Sequence, residues 1–204
     1  SEWVAAVKVL SPTGTVASAG MDGKVLLWSA GSTRCSSCLV GHVGPVSCLA
    51  GVGHQALASA GYDKTVRIWP VATARGVRGT AAGAGAGNEL VLKGTHRAPI
   101  LCLDVSTWNP DRLASGDRGG AVAVWDINRP RPLLHLDGLH ASSVKGGGHT
   151  TSLLFTSGPD PAQDPEALVT GGQDGAINVI DVREGCVVAR AERHTTPKGR
   201  GAVS

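Results

Sequence analysis

The chain predicts an all-β fold assembled from a repeated four-stranded unit, and three observations carry that expectation. A gapless eleven-residue segment recurs four times. Short runs rich in Val, Ile and Leu alternate with Gly, Asp, Asn and Pro. Helical periodicity is nearly absent. Composition agrees: of 204 residues, 42% are hydrophobic and only 17% charged, the latter below the roughly 25% of an average globular chain. Gly (29) and Pro (11) together form about a fifth of the chain. They are spread among apolar runs, which is the composition of turn-rich β structure rather than disorder.

The four copies are Ser18-Ala-Gly-Met-Asp-Gly-Lys-Val-Leu-Leu-Trp28, Ser59-Ala-Gly-Tyr-Asp-Lys-Thr-Val-Arg-Ile-Trp69, Ser115-Gly-Asp-Arg-Gly-Gly-Ala-Val-Ala-Val-Trp125 and Thr170-Gly-Gly-Gln-Asp-Gly-Ala-Ile-Asn-Val-Ile180. Each opens on a hydroxyl residue, turns through Gly and Asp, and closes in an apolar strand. Trp28 and Trp69 are 41 residues apart and the next two steps are 56 and 55. The longer steps contain insertions, so the underlying unit is about 40 residues. In the second copy the strands are expected at Pro45–Val52, Ala56–Gly61, Thr65–Val71 and Glu89–Thr95, and the chain opens on a first-strand pattern, Val4–Leu10. One such sheet cannot bury both its faces, so the copies must stack.

Gly41-His42, Ser59, Asp63 and Trp69 of the second copy resemble the WD-repeat β-propeller family, and the resemblance extends over the four copies. It implies a β-propeller of four-stranded blades, with about four blades of an expected seven present as an incomplete ring. The expected blades are approximately 1–41, 42–95, 96–148 and 149–193. Residues 194–204 start a fifth, because Gly201-Ala-Val-Ser204 echoes Gly44-Pro-Val-Ser47. The resemblance also implies a buried hydrogen-bonded chain of His, Ser or Thr, Asp and Trp in each blade. Its members are His42, Ser59, Asp63 and Trp69; Ser18, Asp22 and Trp28; His96, Ser115 and Trp125; and Thr170 and Asp174. The third copy departs by having Gly119 where Asp is expected, with Asp117 two positions early. The fourth has Ile180 in the Trp position, and its His is either His140 or His149, the latter leading more directly into Leu153-Leu154-Phe155.

Three insertions, Ala72–Asn88, Ala141–Gly148 and Ser157–Glu166, read as surface loops. Cys35-Ser-Ser-Cys38 lacks the second ligand pair that a zinc site needs. Cys48 and Cys102 fall in apolar first-strand runs and read as core. The histidines and turn aspartates recur with the repeat, whereas a catalytic set is normally unique. Gly83-Ala-Gly-Ala-Gly87 does not complete a dinucleotide-binding loop. The reading is therefore no enzyme, no metal and no cofactor. A net charge of +3 without a basic stripe argues against nucleic acid, and no run of 18 apolar residues exists to span a membrane. An odd count of five cysteines and no Asn-x-Ser/Thr acceptor point to an intracellular setting, cytoplasm or nucleus.

What remains is recognition of other proteins, by a scaffold in an intracellular complex or a multidomain chain. By the resemblance, Met21, Tyr62, Arg118 and Gln173, just before the turn Asp, sit side by side on the partner-binding rim. An alternative is a substrate receptor of a cullin–RING ubiquitin ligase, because Ile180-Asp181-Val182-Arg183 resembles an adaptor-docking motif through Asp181 and Arg183. A further alternative is an accessory propeller of a larger enzyme or membrane-trafficking regulator. Remaining blades or further domains of the same chain are then additional partners.

Overall fold

The computed structural model describes residues 2–12, 14–54, 56–71, 89–129, 131–140, 148–156 and 166–192. These form four antiparallel sheets of four strands each, in chain order. The first holds β1 (Val4–Leu10), β2 (Thr15–Gly20), β3 (Lys24–Trp28) and β4 (Cys35–Val40). The second holds β5 (Val46–Val52), β6 (Ala56–Gly61), β7 (Val66–Pro70) and β8 (Leu90–Leu92). The third holds β9 (Ile100–Val105), β10 (Arg112–Asp117), β11 (Val122–Asp126) and β12 (Pro132–Leu136). The fourth holds β13 (Thr150–Thr156), β14 (Ala167–Gly172), β15 (Ala176–Asp181) and β16 (Cys186–Glu192). No described residue is helical. The expected fifth copy, from residue 194, lies outside the described residues, as do most of the three insertions.

Three apolar clusters join the sheets in sequence. Leu10, Ala17, Val25 and Leu27 of the first sheet pack on Val46, Leu57 and Trp69 of the second. Ala58, Ala60, Val66 and Ile68 of the second meet Ile100, Leu113 and Trp125 of the third. Ala114, Val122 and Val124 of the third meet Phe155, Leu168 and Ile180 of the fourth. The blades are therefore stacked into an open arc, with the Trp-bearing face of each turned toward the blade before it. The second strands explain how sheets approach closely on both faces: β6 and β10 carry Ala-Ser-Ala and Ala-Ser-Gly, and all of these residues are buried. Bulk comes instead from the third strands, where Trp69 and Trp125 are both about 1% exposed.

One irregularity repeats in all four sheets. The register between the first and second strands shifts at Val4/Ala6, Val46/Cys48, Gly116/Asp117 and Thr150/Ser152. This bulge lies where the first strand enters the sheet, beside the turn joining second and third strands. We call that edge the upper one. Inter-blade contacts run mainly through β1, β5, β9 and β13, which makes them the inner strands of the arc.

The upper turn also shows why the copies differ at one position. Gly23, Gly120 and Gly175 take φ of 78, 80 and 76°, and the second copy has Lys64 there at φ 65°. A Cβ on Gly120 would collide with the backbone oxygen of Gly148 and press on the His140 backbone. Gly120→Ala is expected to cost about 1–3 kcal/mol. Lys64→Gly releases left-handed strain and is expected to be neutral or to stabilise by up to about 1 kcal/mol. Urea unfolding midpoints of the two variants check both; equal destabilisation would contradict this account.

The upper edge and the network beneath it

Each full blade network starts from an indole. In the second blade Trp69 Nε1 donates to Ser59 Oγ at 2.7 Å. His42 Nε2 lies 2.7 Å from the same oxygen, and His42 Nδ1 lies 2.8 Å from Asp63 Oδ2. The indole can only donate, so Ser59 accepts from it and spends its own hydrogen on His42 Nε2. That leaves Nδ1–H to donate to the Asp63 carboxylate, and the neutral imidazole satisfies every member. Asp63 further accepts from the backbone of Val43 and Thr65 and from the Thr65 hydroxyl.

The third blade reaches the same pattern from a different position. Trp125 donates to Ser115 at 2.8 Å, and His96 bridges Ser115 (2.7 Å) and Asp117 (2.9 Å). Asp117 sits at the end of β10 rather than in the turn, and its second oxygen accepts from Gly119 and Ala121 N–H. Gly119 leaves room at the position where the other copies carry Asp.

In the fourth blade the imidazole is His140, not His149. It lies 3.0 Å from Asp174 and 2.9 Å from Thr170. His140 follows the end of the third sheet in sequence but belongs to the fourth sheet's network. Ile180, fully buried, takes the indole's place without its donor. Asn178, adjacent on β15, contacts the His140 ring, and Arg190 donates to Asp174 at 3.1 Å. The first blade holds the Trp28–Ser18 bond at 2.8 Å. Its Asp22 accepts from Lys24 N and pairs with the Lys24 ammonium.

Three carboxyls are held below the ordinary 3.8. Burial is the largest influence on each and pushes upward. For Asp63 and Asp117 it is outweighed by imidazole and backbone donors; for Asp174, Arg190 adds its charge. Burial likewise pushes the Cys48 thiol up to about 12, as expected of an inert core thiol.

Serine, imidazole and carboxylate here share the connectivity of a hydrolytic triad. Ser59, Ser115 and Thr170 are each 0% exposed, and the two serine oxygens already accept an indole N–H. No substrate carbonyl can reach them, so the arrangement is structural. No cluster of metal-ligating side chains occurs among the described residues. No described helix is long and apolar enough to cross a membrane.

Above the networks, the four rim positions are placed identically. Met21, Tyr62, Arg118 and Gln173 each donate their backbone N–H to the carbonyl just before an inner strand, of Trp3, Pro45, Pro99 and His149. All four side chains are exposed. Trp3 (81%) and Val43 (83%), which the repeat pattern did not single out, are more exposed than Met21 (38%) and Tyr62 (41%). Their signal in the sequence was only a large apolar residue just outside a strand.

The network carries two predictions. Asp63→Ala orphans the His42 ring and two backbone N–H groups and is expected to cost about 1–3 kcal/mol, whereas Arg118→Ala leaves stability unchanged; thermal melts distinguish them. The depressed carboxyls contribute stability that is complete above about pH 4 and is lost as pH falls through their folded values. Urea midpoints should therefore drop on acidification toward about pH 3, and less steeply in Asp63→Asn.

The family model for the WD domain, G-beta repeat, matches residues 1–29 and 33–70. Mitochondrial division protein 1 of Schizosaccharomyces pombe is 29% identical over 218 residues, spanning 97% of this chain and 32% of that protein. The protein of the same name from Kluyveromyces lactis is 27% identical over 193 residues, spanning 90% and 27%. That from Aspergillus terreus is 27% identical over 227 residues, spanning 97% and 34%. The chain thus covers about a third of the length of these relatives. Among solved structures, a chain of the mitotic checkpoint complex superposes with a TM-score of 0.75 at 20% identity. The match covers 96% of this chain and 52% of that one, and shows a shared fold.

Proposed function

We propose that the chain is a member of the WD-repeat β-propeller family, whose repeat model matches residues 1–29 and 33–70, and that it is a non-catalytic scaffold that holds protein partners on its upper edge. One observation carries this reading. Four exposed side chains are fixed at equivalent positions by the same backbone bond, while Ser59, Ser115 and Thr170, the network hydroxyls that touch an imidazole, are buried. Tyr and Arg are residue types enriched at interface hot spots. A rigid β arc presents them with little ordering cost on binding.

The relatives' names favour an intracellular role in a division apparatus. Their greater length favours the scaffold as one module of a longer protein, whose remaining parts supply further partners. The ligase-receptor alternative rests on Asp181 and Arg183 in the turn after β15. There Asp181 Oδ1 accepts the N–H of Arg183 (2.7 Å) and of Glu184 (3.0 Å), and the Arg183 side chain is exposed. Adaptor co-purification that is lost on Arg183→Ala would favour it.

Affinity capture from cells expressing the intact tagged protein tests the scaffold reading. Tyr62→Ala with Arg118→Ala is expected to reduce recovered partner by about ten-fold or more without lowering the melting temperature. Unchanged recovery would remove the upper edge as the docking surface.

A further inference from the structure

We infer that the upper edge of blades two and three receives an acidic peptide segment carrying an apolar or aromatic anchor. The inference deepens the docking reading above and rests on it. Tyr62, 41% exposed, and Val43 stand together on this edge: Tyr62 N–H bonds Pro45 O, and Val43 N–H bonds Asp63, the residue after Tyr62. Lys64 follows two residues on, held outward in the left-handed region. On the third blade Arg118 N–H bonds Pro99 O, which places it beside the connection bearing Arg97. Lys64, Arg97 and Arg118 are all exposed, and none forms an ion pair with a described residue.

The acidic side of the same edge is already committed. Asp63 and Asp117 face inward, with side chains 8% and 2% exposed. Their oxygens are filled by His42, Val43 and Thr65, and by His96, Gly119 and Ala121. The exposed carboxylates flanking these two blades are engaged as well: Asp22 of the first blade lies 3.9 Å from the Lys24 ammonium, and Asp137, past the end of outer strand β12, lies 3.4 Å from His135. Arg118 Nε–H reaches His149 Nε2 at 3.4 Å, a long contact that leaves its terminal nitrogens for a carboxylate. A ligand that fits this surface supplies the missing carboxylates and an apolar side chain to cover Tyr62 and Val43.

Fluorescence anisotropy on the intact protein tests this with three fluorescein-labelled peptides of equal length. Leu and Phe alternate with Glu and Asp in the first, with Gln and Asn in the second, and with Lys in the third. The acidic peptide is expected to bind, and more weakly as sodium chloride is raised. Arg97→Glu with Arg118→Glu is expected to weaken it at least ten-fold with an unchanged melting temperature, and Tyr62→Ala to weaken it as well. Failure of the acidic peptide to bind, equal binding of the neutral peptide, or indifference to the double reversal overturns the acidic class. So does tighter binding of a single-stranded RNA oligomer that competes at these residues. If the neutral or Lys peptide binds and Tyr62→Ala abolishes it, the docking edge stands and only its charge preference falls. If no ligand responds to any of these variants, both readings fall.

Discussion

The upper edge of blades two and three is held up by a buried hydrogen-bonded chain of indole, hydroxyl, imidazole and carboxylate, and that of blade four by the same chain without its indole. Its members come from three places far apart in sequence: the connection before a sheet, the second strand with its turn, and the third strand. An imidazole whose two nitrogens are both engaged cannot drift, so the connection is clamped to the turn. The turn in turn bonds the carbonyl before the inner strand. The exposed side chains of the edge therefore inherit their positions from groups that solvent never meets. Inside a low-dielectric core such a chain is favourable only when complete, which is why the Asp carboxylates recruit backbone donors as well.

The indole–hydroxyl–imidazole–carboxylate networks act within a blade, whereas Trp69, Trp125 and Ile180 pack onto the preceding blade. Separate hydrogen bonds tie one blade to the next, as when Ser47 Oγ donates to Ile100 O and Phe155 N–H to Asp104. Small residues in the middle strands permit this, because sheets with Ala and Ser there approach closely enough for one large side chain to seal the gap. Blade four shows what the system tolerates. Ile180 keeps the seal and gives up the indole donor, while Arg190 adds a bond to Asp174 from the outer strand.

Most of the architecture was legible because period-two apolar runs and turn residues recur. The strand Val4–Leu10 and the strand Ala56–Gly61 fall where the pattern puts them. Edges blurred where the outermost strand has little to bury: Glu89–Thr95 shrinks to Leu90–Leu92. The side-chain networks were harder to read. Spacing suggested that Asp117 stood too early, but a carboxylate at the end of a strand reaches the same imidazole as one in the turn. Spacing also favoured His149, since nothing in a linear pattern reveals that the network's imidazole stands nine residues earlier, at His140. Trp3 and Val43 carried no periodic signal because their exposure is set by the bulged entry to an inner strand.

Because each imidazole arrives from the connection ahead of its sheet, the unit of chain that makes a sheet and the unit that completes its network are out of phase. A fragment starting at Val46 would contain all four strands of the second sheet yet lack His42, leaving the Ser59 hydroxyl and the Asp63 carboxylate without the ring that joins them. Starting at Gly41 restores the set. The indivisible module of this protein, for duplication or for excision, thus begins at the connection that carries the network histidine (His42, His96 or His140) rather than at the first strand.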